Sequence, residues 1–207
     1  MPFLVLVVGT PGVGKSSVGS LLAELLGCVF VEARVVYEEK GALAPDPTGR
    51  EARVVLAERA GEAVASFAES LSSCAVVADV SPSLWLEHAG EHVALVVLLR
   101  LHPLVLKKRL ESRGWSSAKI LENTLAEAFN VIAEELLDSS SDVVEIDCTG
   151  RSALEVVEEV LKSIESWNTG VSIDWLERDP SLVETVSRLV AELDSQKESS
   201  TTRGGLS

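Results

Sequence analysis

Basic residues are scarce in this chain of 207: 18 Lys and Arg stand against 32 Asp and Glu, a formal net charge of −14. So acidic a molecule is repelled by bare phosphate backbone unless its few cations cluster, so direct nucleic-acid binding is not expected. An acidic surface suits a basic protein partner instead. Long hydrophobic runs are missing too. Although 46% of the residues are hydrophobic, no stretch approaches the ~18 uninterrupted apolar residues that a membrane span needs. The N-terminus has neither the basic start nor the small-residue cleavage site of a secretory signal, and a soluble, cytoplasmic protein is expected. Cysteine and histidine are equally thin. Cys28, Cys74 and Cys148 lack metal-ligand spacing, and each sits at or near the start of a predicted strand. They read as small buried hydrophobes; a disulfide is the alternative, open to a hyperthermophilic source. His88, His92 and His102 pair with no Ser or Cys nucleophile at a usable spacing. No internal repeat is found.

What the chain does have begins at its ninth residue. Gly9-Thr10-Pro11-Gly12-Val13-Gly14-Lys15-Ser16 is a complete G-x-x-x-x-G-K-S phosphate-binding loop. Its context fits. Phe3 to Val8 is an unbroken β-prone run, which reads as a strand buried on both faces. After the loop, Val18, Leu21, Leu22, Leu25 and Leu26 recur at helical spacing, with Gly27 as the stop. Gly12 and Gly14 let successive backbone N–H groups turn inward on phosphate oxygens, and the new helix adds the positive end of its dipole. Lys15 brings a full charge to the β- and γ-phosphates, and the Ser16 hydroxyl is placed to ligate Mg²⁺. The loop predicts binding of a nucleoside triphosphate with its metal.

The rest of the chain alternates between strand and helix. Strands are expected over 28–31, 74–78, 93–99 and 143–146, and helices over 33–40, 50–71, 103–113, 118–137 and 153–167, with a loop over 41–49. Five largely apolar strands separated by helices predict a three-layer α/β fold with a parallel sheet covered on both faces. Ligands then bind beyond the carboxyl ends of the strands, where the loop, Asp79 and Arg100 all fall. After Gly170 the pattern weakens. Leu182 to Leu193 can form one more amphipathic helix, and the polar tail 195–207 is expected to be disordered.

Two further groups of side chains bear on chemistry. Asp79 closes its apolar strand where a P-loop enzyme places the carboxylate that holds Mg²⁺ through water; its alternative role is to form the turn before Ser81. Arg109 and Arg113 are four apart on a helix beginning at Pro103, so one face can present two guanidinium groups to a polyphosphate. Lys107 and Lys108 read as solvated surface.

With these pieces placed, the chain resembles the adenylate kinase isoenzyme 6-type branch of the nucleoside monophosphate kinases, a family of archaea that serves as a ribosome-assembly factor in eukaryotes. The P-loop with Ser17 carries part of the likeness. Leu99-Arg100, Arg109 to Trp115, Lys119 to Asn123 and Glu127 carry more of it, with Val143 to Asp147, Gly150-Arg151 and Ile173 to Leu176. The likeness spans roughly residues 3–178.

The resemblance implies a P-loop NMP kinase domain over 1–178, with an NMP-binding arm over 31–53, a short lid over 112–122, and a C-terminal appendage over 179–207. It implies ATP + AMP ⇌ 2 ADP, with other NMP acceptors and a slow ATPase. It assigns Gly12, Gly14, Lys15, Ser16 and Ser17 to the ATP phosphates, Arg113 to the lid side of ATP and Arg151 to the adenine end. Two departures stand out. Where the family has Asp-x-His after strand three, this chain has Asp79-Val80-Ser81. The acceptor arm lacks the usual Gly-Asp element, leaving Arg34 and Arg53 as the arginines best placed to clamp an acceptor phosphate. The leading expectation is therefore a kinase. The alternative is a nucleotide-dependent small-subunit assembly factor acting through a basic ribosomal protein, and a small-molecule kinase of similar core is a third reading.

Overall fold

The computed structural model describes residues 2–46 and 53–204. Its centre is a parallel sheet of five strands. In chain order these are β1 (Leu4–Val8), β2 (Val29–Glu32), β5 (Ala75–Asp79), β6 (Val93–Arg100) and β7 (Val143–Asp147), laid side by side as β2-β5-β1-β6-β7. A separate antiparallel pair, β3 (Leu43–Pro45) and β4 (Arg53–Val55), lies between β2 and β5 in the sequence.

The continuous apolar runs follow from burial on both sides. Leu4, Leu6 and Val8 of β1 enter one core with Val77, Val96 and Leu98, while Val5 and Val7 enter a second with Val76, Val97 and Leu99. The first core is roofed by α2 (Ala33–Glu39), α3 (Ala57–Ser70), α4 (Pro82–Ala89) and α7 (Val131–Leu137), which contribute Tyr37, Val64, Trp85 and Leu136. The second is roofed by α1 (Lys15–Leu26), α5 (Pro103–Ser112), the start of α6 (Ser117–Ala128), and α8 (Ala153–Glu165). The expected three-layer α/β architecture is therefore present. Helix α1 ends where expected, with Gly27 in the left-handed region at φ 67°.

Several expected elements differ. The helix expected over 50–71 starts only at Ala57. Before it Arg53-Val54-Val55 pairs with Leu43-Ala44-Pro45, a pairing to which two β-branched residues are suited. The intervening 47–52, which includes part of the expected loop and helix, lies outside the described residues. The helix expected over 118–137 is two, because Asn130 adopts φ 58° between α6 and α7. Helix α4 lies in a stretch that had no element assigned. Beyond α9 (Trp175–Arg178), helix α10 runs over Leu182–Gly204, so residues 195–204 of the tail expected to be disordered continue the helix that begins at Leu182, while 205–207 lie outside the described residues. Its Leu182, Val186 and Leu189 pack on Leu121, Leu125 and Ala128 of α6.

The cysteines also divide. Cys148 is a free, buried thiol, as expected. Cys28 and Cys74 are instead joined as a disulfide, because they immediately precede β2 and β5, which run in register with Val29 opposite Ala75. Among the described residues no helix is long and apolar enough to cross a membrane.

Candidate active site

The P-loop leaves β1 at Val8 and enters α1 at Lys15. Gly12 is required twice over. Its φ is 100°, and a Cβ there would lie 2.7 Å from Leu110 Cδ2 and 2.9 Å from Leu106 Cδ1. The loop thus rests directly on α5. Arg109 fastens it there, its Nη1 donating to the carbonyls of Gly12 (3.1 Å) and Val13 (3.0 Å). Both arginines expected to face a polyphosphate line the cavity described below. Arg109 holds the loop, while Arg113, at the end of the same helix, is exposed.

Lys15 folds back over the loop, donating from Nζ to the carbonyls of Gly9 (2.7 Å) and Thr10 (3.2 Å). Burial pushes its ammonium down to about 8, opposed by the carboxylates of Asp79, Glu32 and Glu127. Ser16 and Ser17 stand exposed on the first turn of α1. Beside them lies a cavity of about 190 Å³ lined by Gly14, Ser17, Arg109, Arg113, Cys148 and Arg151, among others. Residues from three separate parts of the chain, Gly14 and Ser17, Arg113, and Arg151, meet around one space. Gly114 at φ 71° ends α5 and starts the short connection to α6, so Arg113 sits on a turn at the mouth of this cavity.

Asp79 lies opposite Val8 at the end of β5 and is almost fully buried. Its Oδ2 accepts the Tyr37 hydroxyl and, at 2.7 Å, Trp85 Nε1; its Oδ1 accepts the Val80 N–H at 2.7 Å. Burial pushes the carboxyl up, against those three hydrogen bonds and the charge of Lys15. Burial and the neighbouring Asp79 push the Tyr37 phenol up as well. Tyr37 and Trp85 were not picked out by sequence reasoning. No spacing rule links residues on two separate helices to a carboxylate at a strand end.

Arg100 does not join the crevice. It is 2% exposed, and Nε donates to Glu127 Oε1 (2.9 Å), Nη1 to Glu145 Oε1 (2.8 Å) and the Ile173 carbonyl (3.1 Å). Nη2 donates to Asn130 Oδ1 (2.6 Å) and the Glu127 carbonyl (3.3 Å). These five contacts match the five N–H donors of a guanidinium, so none is left for a nucleotide. In the arm, Arg34 and Arg53 are exposed and both reach Glu38 Oε1, at 3.9 and 3.1 Å. The two arginines read as an acceptor clamp are thus brought to a single anionic oxygen.

A buried glycine loop at the carboxyl end of β1, a lysine folded over it and arginines around the adjoining cavity define a P-loop protein of the kinase type. A family model described as an AAA domain matches residues 5–130. The chain is 38% identical over 177 residues to a protein of Thermococcus gammatolerans named "Putative adenylate kinase", covering 84% of this chain and 93% of that one. It is likewise 38% identical to a protein of the same name from Pyrococcus furiosus, over 83% and 91% of the two chains. Among solved structures, a shikimate kinase from Acinetobacter baumannii superimposes with a TM-score of 0.59 at 18% identity, covering 80% of this chain and 94% of that one. A gluconokinase from Sinorhizobium meliloti does so with a TM-score of 0.54 at 21% identity, covering 80% and 93%. These two show the shared fold. The chain belongs to the archaeal adenylate kinase-like family represented by the Thermococcus and Pyrococcus proteins.

Proposed function

We propose that the protein is an adenylate kinase-like phosphotransferase that carries the γ-phosphoryl group of ATP to AMP, forming two ADP. The observation that carries this reading is the cavity in which Gly14 and Ser17 of the P-loop face Arg113 and Arg151. The name borne by its relatives supports the same class of reaction. Other nucleoside monophosphates act as weaker acceptors, and ATP is hydrolysed slowly without one.

Phosphoryl transfer calls for alignment and charge neutralisation more than for covalent help. The backbone N–H groups from Gly12 to Ser17 cradle the ATP phosphates, and Lys15 exchanges the Gly9 carbonyl for a phosphate oxygen. Arg113 closes over the polyphosphate from its turn, and Arg151 lies against the base. Arg34 and Arg53 hold the acceptor phosphate in place of Glu38.

Hard oxygen donors suit Mg²⁺, and the residues fit it. The Ser16 hydroxyl is exposed at the start of α1, and among the described residues Asp79 Oδ1 takes the Val80 N–H alone. Ser16 would hold the ion directly and Asp79 through water. When bound, Mg²⁺ neutralises charge on the β- and γ-phosphate oxygens.

The reading is tested by following ADP from ATP and Mg²⁺ with and without AMP. Rapid AMP-dependent formation of two ADP per ATP consumed is expected. Slow, AMP-indifferent ADP formation overturns it in favour of a second reading, a nucleotide-timed assembly factor for a basic ribosomal protein, to which the net charge of −14 is suited.

A further inference from the structure

Behind the P-loop lies a buried carboxylate that the transfer mechanism above does not use. Glu127, near the end of α6, is 2% exposed. One oxygen, Oε1, accepts Arg100 Nε (2.9 Å), the Leu101 N–H (3.1 Å) and Trp175 Nε1 (2.9 Å). The other, Oε2, accepts the hydroxyl of Thr10 at 2.5 Å. Thr10 is the second residue of the P-loop, and its carbonyl is where two loop contacts converge. Val13 N–H closes on it at 3.2 Å and Lys15 Nζ rests on it at 3.2 Å. Thr10 therefore carries both the hydroxyl that Glu127 holds and the carbonyl on which the loop and its lysine rest.

The segment that follows α8 is gathered by Glu145, Arg100 and Glu127 together. Glu145 Oε2 accepts the N–H groups of Ser172 (2.5 Å) and Ile173 (2.8 Å), and Arg100 binds the Ile173 carbonyl. Trp175 then donates to Glu127, while its ring meets His102 edge-on with centroids 5.4 Å apart. His102 Nε2 lies 3.3 Å from Asp179 Oδ2. Helix α6 begins just past the Arg113 turn. Glu127 lies ten residues beyond its first residue, Ser117, about 15 Å along the axis at 1.5 Å per residue. Lid base, P-loop and the stretch 172–179 thus share one fixed point.

Arg100 is shared between Glu127 and Glu145, Leu101 and Trp175 complete Oε1, and among the described residues the partner of Oε2 is a hydroxyl of the P-loop. We propose that Glu127 is a positioning residue for phosphoryl transfer, holding Thr10 and making the segment Ser172–Asp179 part of the P-loop's support. The inference rests on the kinase reading for its effect on turnover, but not for its effect on the loop.

The test uses the full chain and three variants, Thr10→Val, Thr10→Ser and Trp175→Phe. Thr10→Val keeps the shape and deletes the hydroxyl; Thr10→Ser restores it; Trp175→Phe keeps an aromatic ring and deletes the N–H. Loss of a charge-assisted hydrogen bond in Thr10→Val should lower kcat about tenfold, with KM for ATP changed less than about twofold. Thr10→Ser should recover most of that loss, and Trp175→Phe should move kcat the same way by less. Amide hydrogen exchange of the apoprotein over residues 9–17 should quicken in Thr10→Val and return in Thr10→Ser. Wild-type exchange in the loop of Thr10→Val overturns the proposal, as does a Thr10→Ser variant no better than Thr10→Val. Failure of the kinase reading shows separately, as no AMP-dependent ADP from the wild type; slow ATP hydrolysis and the exchange measurement then still decide the role of Glu127.

Discussion

Replacing both Cys28 and Cys74 by alanine removes the covalent tie between the starts of β2 and β5. The two cysteines are 46 residues apart. Cross-linking a loop of that length removes about 13.5 cal/mol/K of unfolded-chain entropy, or about 4 kcal/mol at 25 °C. In a chain of 207 residues each kcal/mol moves Tm by about 2–4 °C, so the double variant should melt about 8–16 °C below the oxidised wild type. The tie sits at the amino end of the sheet. The β2 strand spans four residues, about 13 Å, before it delivers Glu32 and helix α2 to the other end. Turnover at 25 °C should therefore be nearly unchanged while stability falls. The assay is thermal unfolding with and without a strong reductant. Reduction should bring the wild type down to the double variant and leave that variant where it was. A double variant within about 2 °C of the oxidised wild type refutes the reasoning, as does a reductant effect that survives the loss of both cysteines.

Other predictions concern the site. Lys15→Ala removes the point charge from the transferring phosphates and should nearly abolish turnover, with far-UV circular dichroism unchanged; substantial retained activity would count against the P-loop assignment. Arg113→Ala should lower kcat by about 10²–10³ if its turn closes on the polyphosphate, and wild-type steady-state kinetics would show that it does not. Cys148 lines the same cavity, but burial pushes its thiol up to about 12, with Asp147 and Glu127 raising it and Arg109 and Arg151 opposing. At pH 8 it should resist alkylation in the folded protein and react once the chain is unfolded in urea. The ordinary value for the thiol is 9.0, so the folded state binds the extra proton between there and about 12, and this contribution to stability, full below pH 9, is lost as pH rises through that window.

The sheet was legible in the sequence because burial on both faces leaves an unmistakable mark. Strand β1 reads Leu-Val-Leu-Val-Val, with no polar residue to assign to either side. The P-loop was legible for a related reason: its chemistry is local, and eight consecutive residues carry strand exit, glycine turn, lysine and hydroxyl. What lay hidden depended on neighbours distant in the chain. Cys28 and Cys74 both precede strands, but only the order β2-β5-β1-β6-β7 makes those strands adjacent, and no residue pattern states that order. Arg100 shows the same limit from the other side. Its place at a strand end suggested the nucleotide, yet its partners Glu127, Glu145, Asn130 and Ile173 arrive from 27, 45, 30 and 73 residues away. A buried guanidinium with five protein acceptors is a structural tie whatever its motif suggests, because desolvating it unpaired would be prohibitive. The neighbouring Arg109 and Arg113 then separate on the same criterion. One donates to loop carbonyls and holds the cradle, while the other stays exposed at the end of the same helix, and both line the cavity.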